Sequence, residues 1–240
     1  MKICLDAGHS GKTNPYYVNG KVIGSEAEMA WSLHQKLRDK LLALGVEVIC
    51  TRASLDGDLD LVTRGKMAEG CDLFLSLHSN AGSDTADYPL ACCQVNGSAD
   101  EIGMKLARAV DEVMQTVQAA RIWKRDYQTG TAAMIYLTND PNYGKRTSSK
   151  DYYGVLRGAA EVGVPGLLLE CSFHTNPVMV QWLAVDCNLD KLAAALCGVI
   201  VDHFAVVEQD WKKKYIDLSA RYDALISGLT ALLDRYKGGA

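Results

Sequence analysis

"EAEMAWSLHQKLRDKLLALGVEVICTR", Glu26 to Arg52, decides the fold class. Apolar residues recur at Met29, Leu33, Leu37, Leu41 and Leu44, the spacing of one helical face, and Gly45 is a natural terminator. The run that follows, "VEVICTR" (46–52), reads as a strand. Upstream, "KICLDAG" (2–8) reads as a buried strand. Downstream come a short helix in "LDLVTRGKMAEGC" (59–71) and a third strand in "DLFLSLHSN" (72–80). A strand-like run over 88–97, an amphipathic helix over 99–117, another buried strand in "GVPGLLLECSFHTNP" (163–177) and helical runs to about residue 205 complete the series. Residues 121–150 are rich in Tyr, Asn and Gly without a clean period and read as an irregular insert. Strands alternating with helices predict an α/β fold: a single doubly wound domain over 1–205, with a twisted, mostly parallel sheet flanked by helices.

The tail, 206–240, changes character. Trp211, Tyr215, Leu218, Tyr222, Leu225, Leu229, Leu232 and Tyr236 alternate in steps of four and three, a heptad seam flanked by Lys, Asp and Arg. One reading is a helix packing its stripe on its own domain. The strict alternation favours the other, a coiled coil joining copies of the chain through residues 211–236.

Composition narrows the partners. The chain has 240 residues, a formal net charge of -4 and 48% hydrophobic residues, an ordinary globular balance with no basic footprint for nucleic acid. The eight cysteines form no CxxC pair and most lie in apolar runs, which predicts free thiols in a reducing compartment. The start, "MKICLDAGHS", does not read as a signal peptide, and no apolar run reaches the ~20 residues that span a bilayer. The expectation is synthesis in the cytoplasm, with action outside only after release.

In a parallel α/β sheet, ligands bind beyond the carboxyl ends of the strands. His9 follows the first strand, His78 ends the third, Glu170 ends the late strand, and Glu26 opens the first long helix. Two imidazoles and two carboxylates thus converge on one rim. A catalytic zinc commonly takes two His and one Glu and keeps a position for water, whose pKa falls to about 7. A further carboxylate can move the proton. In this reading His9, Glu26 and His78 are the ligands of one zinc ion per chain, and Glu170 is the base. Each has a structural alternative: a turn or capping role for the histidines, and a helix-dipole role for Glu26 beside a Ser25 cap. Glu28 competes with Glu26 but should point to another helix face. Glu170 has the poorest alternative, because a carboxylate in a buried apolar strand is costly unless paired or functional. His174, Asn80 and Ser10 are candidate substrate contacts. His34, mid-helix among Gln and Lys, is expected in solvent, and His203 in the core or at the surface.

At these residues the chain resembles the zinc-dependent N-acetylmuramoyl-L-alanine amidases of the type-3 amidase family, over about residues 1–205. "LDAGHSG" is similar to a DPGHGG-like signature, with Ala7 in place of Pro. "EAEMAWSLHQKLRDKLLALGVEVICTR" resembles the helix that opens with the zinc-binding Glu, which places the ligand at Glu26. "LVTRGKMAEGCDLFLSLHSNAG" resembles the LxxRxxxAN…ADxFxSIHxNA block, with Glu69 for Asn. "VPGLLLECSFHTNP" resembles the block carrying the catalytic Glu, here Glu170, with Cys171 and His174 departing from the usual residues. The resemblance implies bacterial peptidoglycan as substrate and hydrolysis of the amide between the muramic acid lactyl group and L-alanine. Free cysteines and no recognisable wall-binding repeat also resemble phage or prophage endolysins, and a host lysis amidase would look the same. A zinc peptidase or deacylase on the same scaffold is the alternative; a non-catalytic wall-binding protein would be expected to have lost one of the four site residues.

Overall fold

The structure, a computed structural model, describes residues 1–125, 127, 132–136 (backbone), 150–204, 221–222 and 225–226. A sheet of seven strands organises it. These are β1 (Lys2–Ala7), β4 (Glu47–Cys50), β5 (Leu73–Asn80), β6 (Leu90–Cys93), β7 (Arg121–Arg125), β8 (Ala132–Tyr136) and β9 (Gly166–Phe173). Their order is β4-β1-β5-β9-β6-β7-β8. Strands β4, β1, β5 and β9 run parallel, β6 is antiparallel to β9, β7 parallel to β6, and β8 antiparallel to β7. The expected mostly parallel α/β sheet flanked by helices is therefore what the chain forms.

The deciding stretch folds as its pattern requires. Helix α1 (Glu26–Ala43) starts at Ser25, whose hydroxyl accepts a hydrogen bond from the Glu28 N–H at 3.2 Å and donates to the Glu28 carboxylate at 2.9 Å. It ends at Gly45, in the left-handed region at φ +77, where the Gly45 and Val46 N–H groups donate to the carbonyls of Leu42 and Leu41. Its buried stripe includes Leu33, Leu37 and Leu41, packed beneath β1 and β5 residues such as Ile3, Leu5, Leu75 and Leu77, all 0% exposed. Helices α2 (Leu61–Lys66), α3 (Asp100–Met114), α4 (Gly154–Glu161), α5 (Met179–Leu183) and α6 (Asp186–His203) follow along the described chain. Helices α2 and α4 cross closely enough that a Cβ at Gly158 would lie 2.1 Å from the Val62 carbonyl oxygen.

Several expectations need correction. His34 is 1% exposed, not in solvent. It lies four residues after Ala30 and three before Leu37, on the buried stripe, and stacks on Trp31 with ring centroids 5.3 Å apart. The supposed irregular insert contributes two sheet strands, β7 and β8. Of residues 126–149 outside β8, only Tyr127 is described. Neither His78 nor Glu170 ends its strand: β5 continues to Asn80 and β9 to Phe173. The segment after Gly11 forms a separate hairpin, β2 (Pro15–Val18) with β3 (Lys21–Ser25), turning at Asn19 (φ 49) and Gly20 (φ 73). Asn-Gly with both residues left-handed is the signal of a tight hairpin turn, and it is present in "YVNGKV".

His203 is half-buried. The heptad seam over 211–236 lies outside the described residues except at Tyr222 and Leu225, which are helical and exposed. All eight cysteines are free thiols, and Cys187 alone among them is exposed.

Candidate metal centre

The parallel register builds the site. His78 on β5 pairs with Glu170 on β9, and Asp6 and Ala7 at the end of β1 pair with Ser76 and Leu77. The chain then leaves β1 through Gly8, whose N–H donates to the Leu77 carbonyl at 2.9 Å, and turns at His9 with φ 57. A left-handed backbone is costly for a residue with a Cβ, and such strain concentrates at functional sites. Here it brings His9 alongside His78, with ring centroids 5.0 Å apart and planes at 77°.

Glu26 reaches the same point from the first turn of α1. Its Oε1 lies 2.9 Å from His78 Nδ1 and accepts the Ser79 N–H at 3.1 Å. Its Oε2 lies 3.1 Å from His9 Nε2 and accepts the Asn14 side-chain N–H at 2.6 Å. The ligand atoms of His9, Glu26 and His78 lie within 4.8 Å of one another, and among the described residues no other group of this kind occurs. Glu28 is occupied at the Ser25 cap. Burial pushes the Glu26 carboxyl up, but its bonds to His78 and His9 outweigh this and hold it well below the ordinary carboxylate range. Two imidazole nitrogens against one ionised carboxylate need protons or a cation between them. Two imidazoles and one carboxylate are a donor set suited to zinc.

Glu170 is the fourth member. Its Oε2 is buried without a hydrogen-bond partner. Burial first, and then the negative charge of Glu26, raise its pKa well above the usual value. It lines a cavity of about 280 Å³ with His9, His78 and Arg64, walled by Leu61, Tyr153, Val155 and Leu168. A larger cavity of about 470 Å³, bordered by Lys12, Tyr16, Val22, Glu28 and Asp186, includes none of these four residues.

A buried ionic frame holds the rim. Asp6, 0% exposed, accepts from Arg64 Nε and Nη2 at 2.8 Å each, and from the Thr51 and Ser76 hydroxyls at 2.5 Å each. Arg64 and Arg52 also donate to the Ala7 carbonyl, and Arg52 to that of Gly8. Ser76 in turn lies 3.1 Å from His78 Nε2. The sequence pattern alone assigns no role to Arg64, Ser76 or Asn14. One signal does exist: an aspartate inside the apolar run "KICLDA" demands a buried cationic partner.

Of the candidate substrate contacts, His174 is close. Its Nδ1 lies 2.9 Å from the Ser79 hydroxyl and 3.1 Å from the Ser79 carbonyl, and its ring stacks on Tyr16. Burial lowers its pKa, although the charge of Glu26 works in the opposite direction. Asn80 and Ser10 have local contacts. The Asn80 side chain accepts from the Ala81 N–H, and the Ser10 carbonyl accepts from the Thr13 hydroxyl.

Fold and donor set together define a class: an α/β protein presenting a His–Glu–His triad and a buried carboxyl on one sheet rim, the equipment of an amide hydrolase. The family model of N-acetylmuramoyl-L-alanine amidases matches residues 3–202, and the chain belongs to that family of peptidoglycan amidases. It is 26% identical to the N-acetylmuramoyl-L-alanine amidases AmiA of Salmonella typhimurium and of Escherichia coli, over 84% of this chain and 75% of each relative. Among solved structures it is similar to the catalytic domain of CwlV from Bacillus (Paenibacillus) polymyxa var. colistinus, with TM-score 0.64, 19% identity, and 85% and 98% of the two chains covered. Cwp6 from Clostridium difficile superposes with TM-score 0.66 at 20% identity over 84% of this chain, which spans 29% of that longer one.

Proposed function

We propose that the chain is a zinc-dependent N-acetylmuramoyl-L-alanine amidase in which His9, Glu26 and His78 hold the ion and Glu170 moves the proton. One observation carries this reading: three ligand atoms within 4.8 Å of one another, beside a buried carboxyl whose Oε2 has no partner. Bound by those donors, zinc supplies Lewis acidity that acidifies water and polarises a carbonyl.

The chain's own residues do the rest. The Asp6–Arg64–Ser76 frame fixes His78, and the Ser79 N–H and Asn14 fix Glu26. Glu170, beside His9 and His78 and with one carboxyl oxygen free of hydrogen bonds, is the group in reach for proton transfer. It takes a proton from the attacking water and delivers it to the departing nitrogen of L-alanine. Leu61, Val155 and Leu168 give that exchange an apolar wall. His174, stacked on Tyr16, is placed to touch the substrate beside Glu26.

The biological setting is part of the proposal. The relatives named above are amidases of bacteria, which favours a host wall amidase over the endolysin reading. The deciding experiment is metal analysis of the purified protein together with product identification on digested cell walls. Stoichiometric zinc and free stem peptides released from muramic acid support the reading. Glu170→Gln should keep the zinc and lower turnover by about 10²–10⁴-fold; retained turnover removes Glu170 from the mechanism.

A further inference from the structure

The carboxylate of Glu26 is gripped at four points, and only two of them are metal-ligating side chains. His78 and the Ser79 N–H meet Oε1; His9 and the Asn14 amide meet Oε2. Asn14 makes the shortest of the four contacts, 2.6 Å, and the same nitrogen lies 3.3 Å from His9 Nε2. It therefore touches two of the three donors at once. Its backbone reinforces this hold, because the Asn14 carbonyl accepts the Glu26 N–H at 2.9 Å, in the first turn of α1. Like His9, Asn14 has positive φ, 55 against 57, so the loop between them is closed by two left-handed residues whose side chains both converge on Glu26. Asparagine tolerates that conformation better than most residues with a Cβ.

We propose that Asn14 is a positioning residue of the metal site, setting the orientation of the Glu26 carboxylate from outside the ligand set. An amide N–H₂ cannot ligate a cation, so it serves as a fixed donor: it occupies one lone pair of Oε2 and leaves the remaining acceptor sites of the carboxylate for the ion. Groups that hold ligands in this way typically change metal affinity by about 10–100-fold when removed. Among the described contacts of Glu26, Asn14 is the one non-ligating side chain.

The inference rests on the zinc reading above, and the test separates the two. Zinc affinity is measured by competition with a chromogenic chelator, independently of turnover, in the wild type and in Asn14→Gly, Asn14→Ala and Thr13→Ala. Glycine accepts the left-handed backbone, so Asn14→Gly removes the side chain without adding strain. Thr13→Ala removes the hydroxyl bond to the Ser10 carbonyl, at 2.7 Å, which orders the same loop without touching Glu26. The expected result is a loss of about 10–100-fold in zinc affinity for both Asn14 variants and a change under about twofold for Thr13→Ala. The visible absorption bands of the cobalt(II)-loaded protein should shift in Asn14→Gly and not in Thr13→Ala. Wild-type affinity in Asn14→Gly, or an equal loss in Thr13→Ala, overturns the role given to Asn14 while leaving the zinc site standing. A wild type that binds no zinc overturns the site itself, and this inference with it.

Discussion

Gly8→Ala is the sharpest test of how the rim is built. Gly8 lies under the face of the His78 ring: a Cβ there would fall 2.3 Å from Cε1 and 2.5 Å from each ring nitrogen. Ordinary contact begins near 3.4 Å, so the imidazole would have to retreat by about 1.1 Å. The ring has little freedom to do so, since it is held by Glu26 on one nitrogen and Ser76 on the other. The Gly8 φ is not among the left-handed ones, so alanine adds a steric clash there and no backbone strain. A misplacement of about 1 Å at a reacting centre can cost on the order of 10²-fold. Turnover of purified muropeptides should fall by about that factor in Gly8→Ala, and zinc affinity should weaken with it. Gly20→Ala is the control. It forces a Cβ into the left-handed region at φ +73 with nothing within 4 Å, so it should lower stability by about 1–2 kcal/mol and leave zinc affinity unchanged. Wild-type turnover and zinc affinity in Gly8→Ala would refute the idea that the close approach of Gly8 fixes His78.

Removing Arg64 should unfold the frame. Arg64→Ala leaves Asp6 fully buried without its cationic partner, and a broken buried pair costs about 3–5 kcal/mol, read by urea denaturation; a loss below about 1 kcal/mol would show that Thr51 and Ser76 suffice. His34 makes stability depend on acid. Burial, and then the charge of Arg38, lower its pKa from 6.5 to about 4, with Arg52 also lowering it and Asp6 and Asp39 opposing. The unfolded chain takes up this proton first, so stability falls as pH drops from 6.5 toward 4, by up to about 3 kcal/mol. His34→Gln should flatten that part of the stability profile, and an unchanged slope would reject the assignment. Truncation before Trp211 should convert an oligomer into a monomer by light scattering, and an unchanged mass would end the coiled-coil proposal.

Much of this protein is legible in its sequence, and the reason is periodicity. The stripe from Met29 to Leu41, the Ser25 cap and Gly45 specify α1 through local interactions alone. The apolar runs around Cys4, Leu75 and Leu168 mark strands buried on both faces, whose carboxyl ends must share a rim, and so the four chemistry-bearing residues can be picked out. Asn19-Gly20 announces a hairpin by turn chemistry, and His34 sits on the helical stripe, so both are readable by the same rules.

What the tertiary structure decided is everything that depends on distance between elements. Residues 121–125 become a strand because β6 offers them a paired edge, a preference too weak in "RIWKR" to show locally. The contacts that hold the Glu26 carboxylate come from Asn14, in the loop before β2, and from the Ser79 N–H on β5, while Glu28 is consumed by the cap. Arg64 meets Asp6 across 58 residues of chain, and Asn14 meets Glu26 only because His9 and Asn14 both turn left-handed. A pattern along the chain tells which face a side chain occupies. Only the packed sheet tells which other side chains share it.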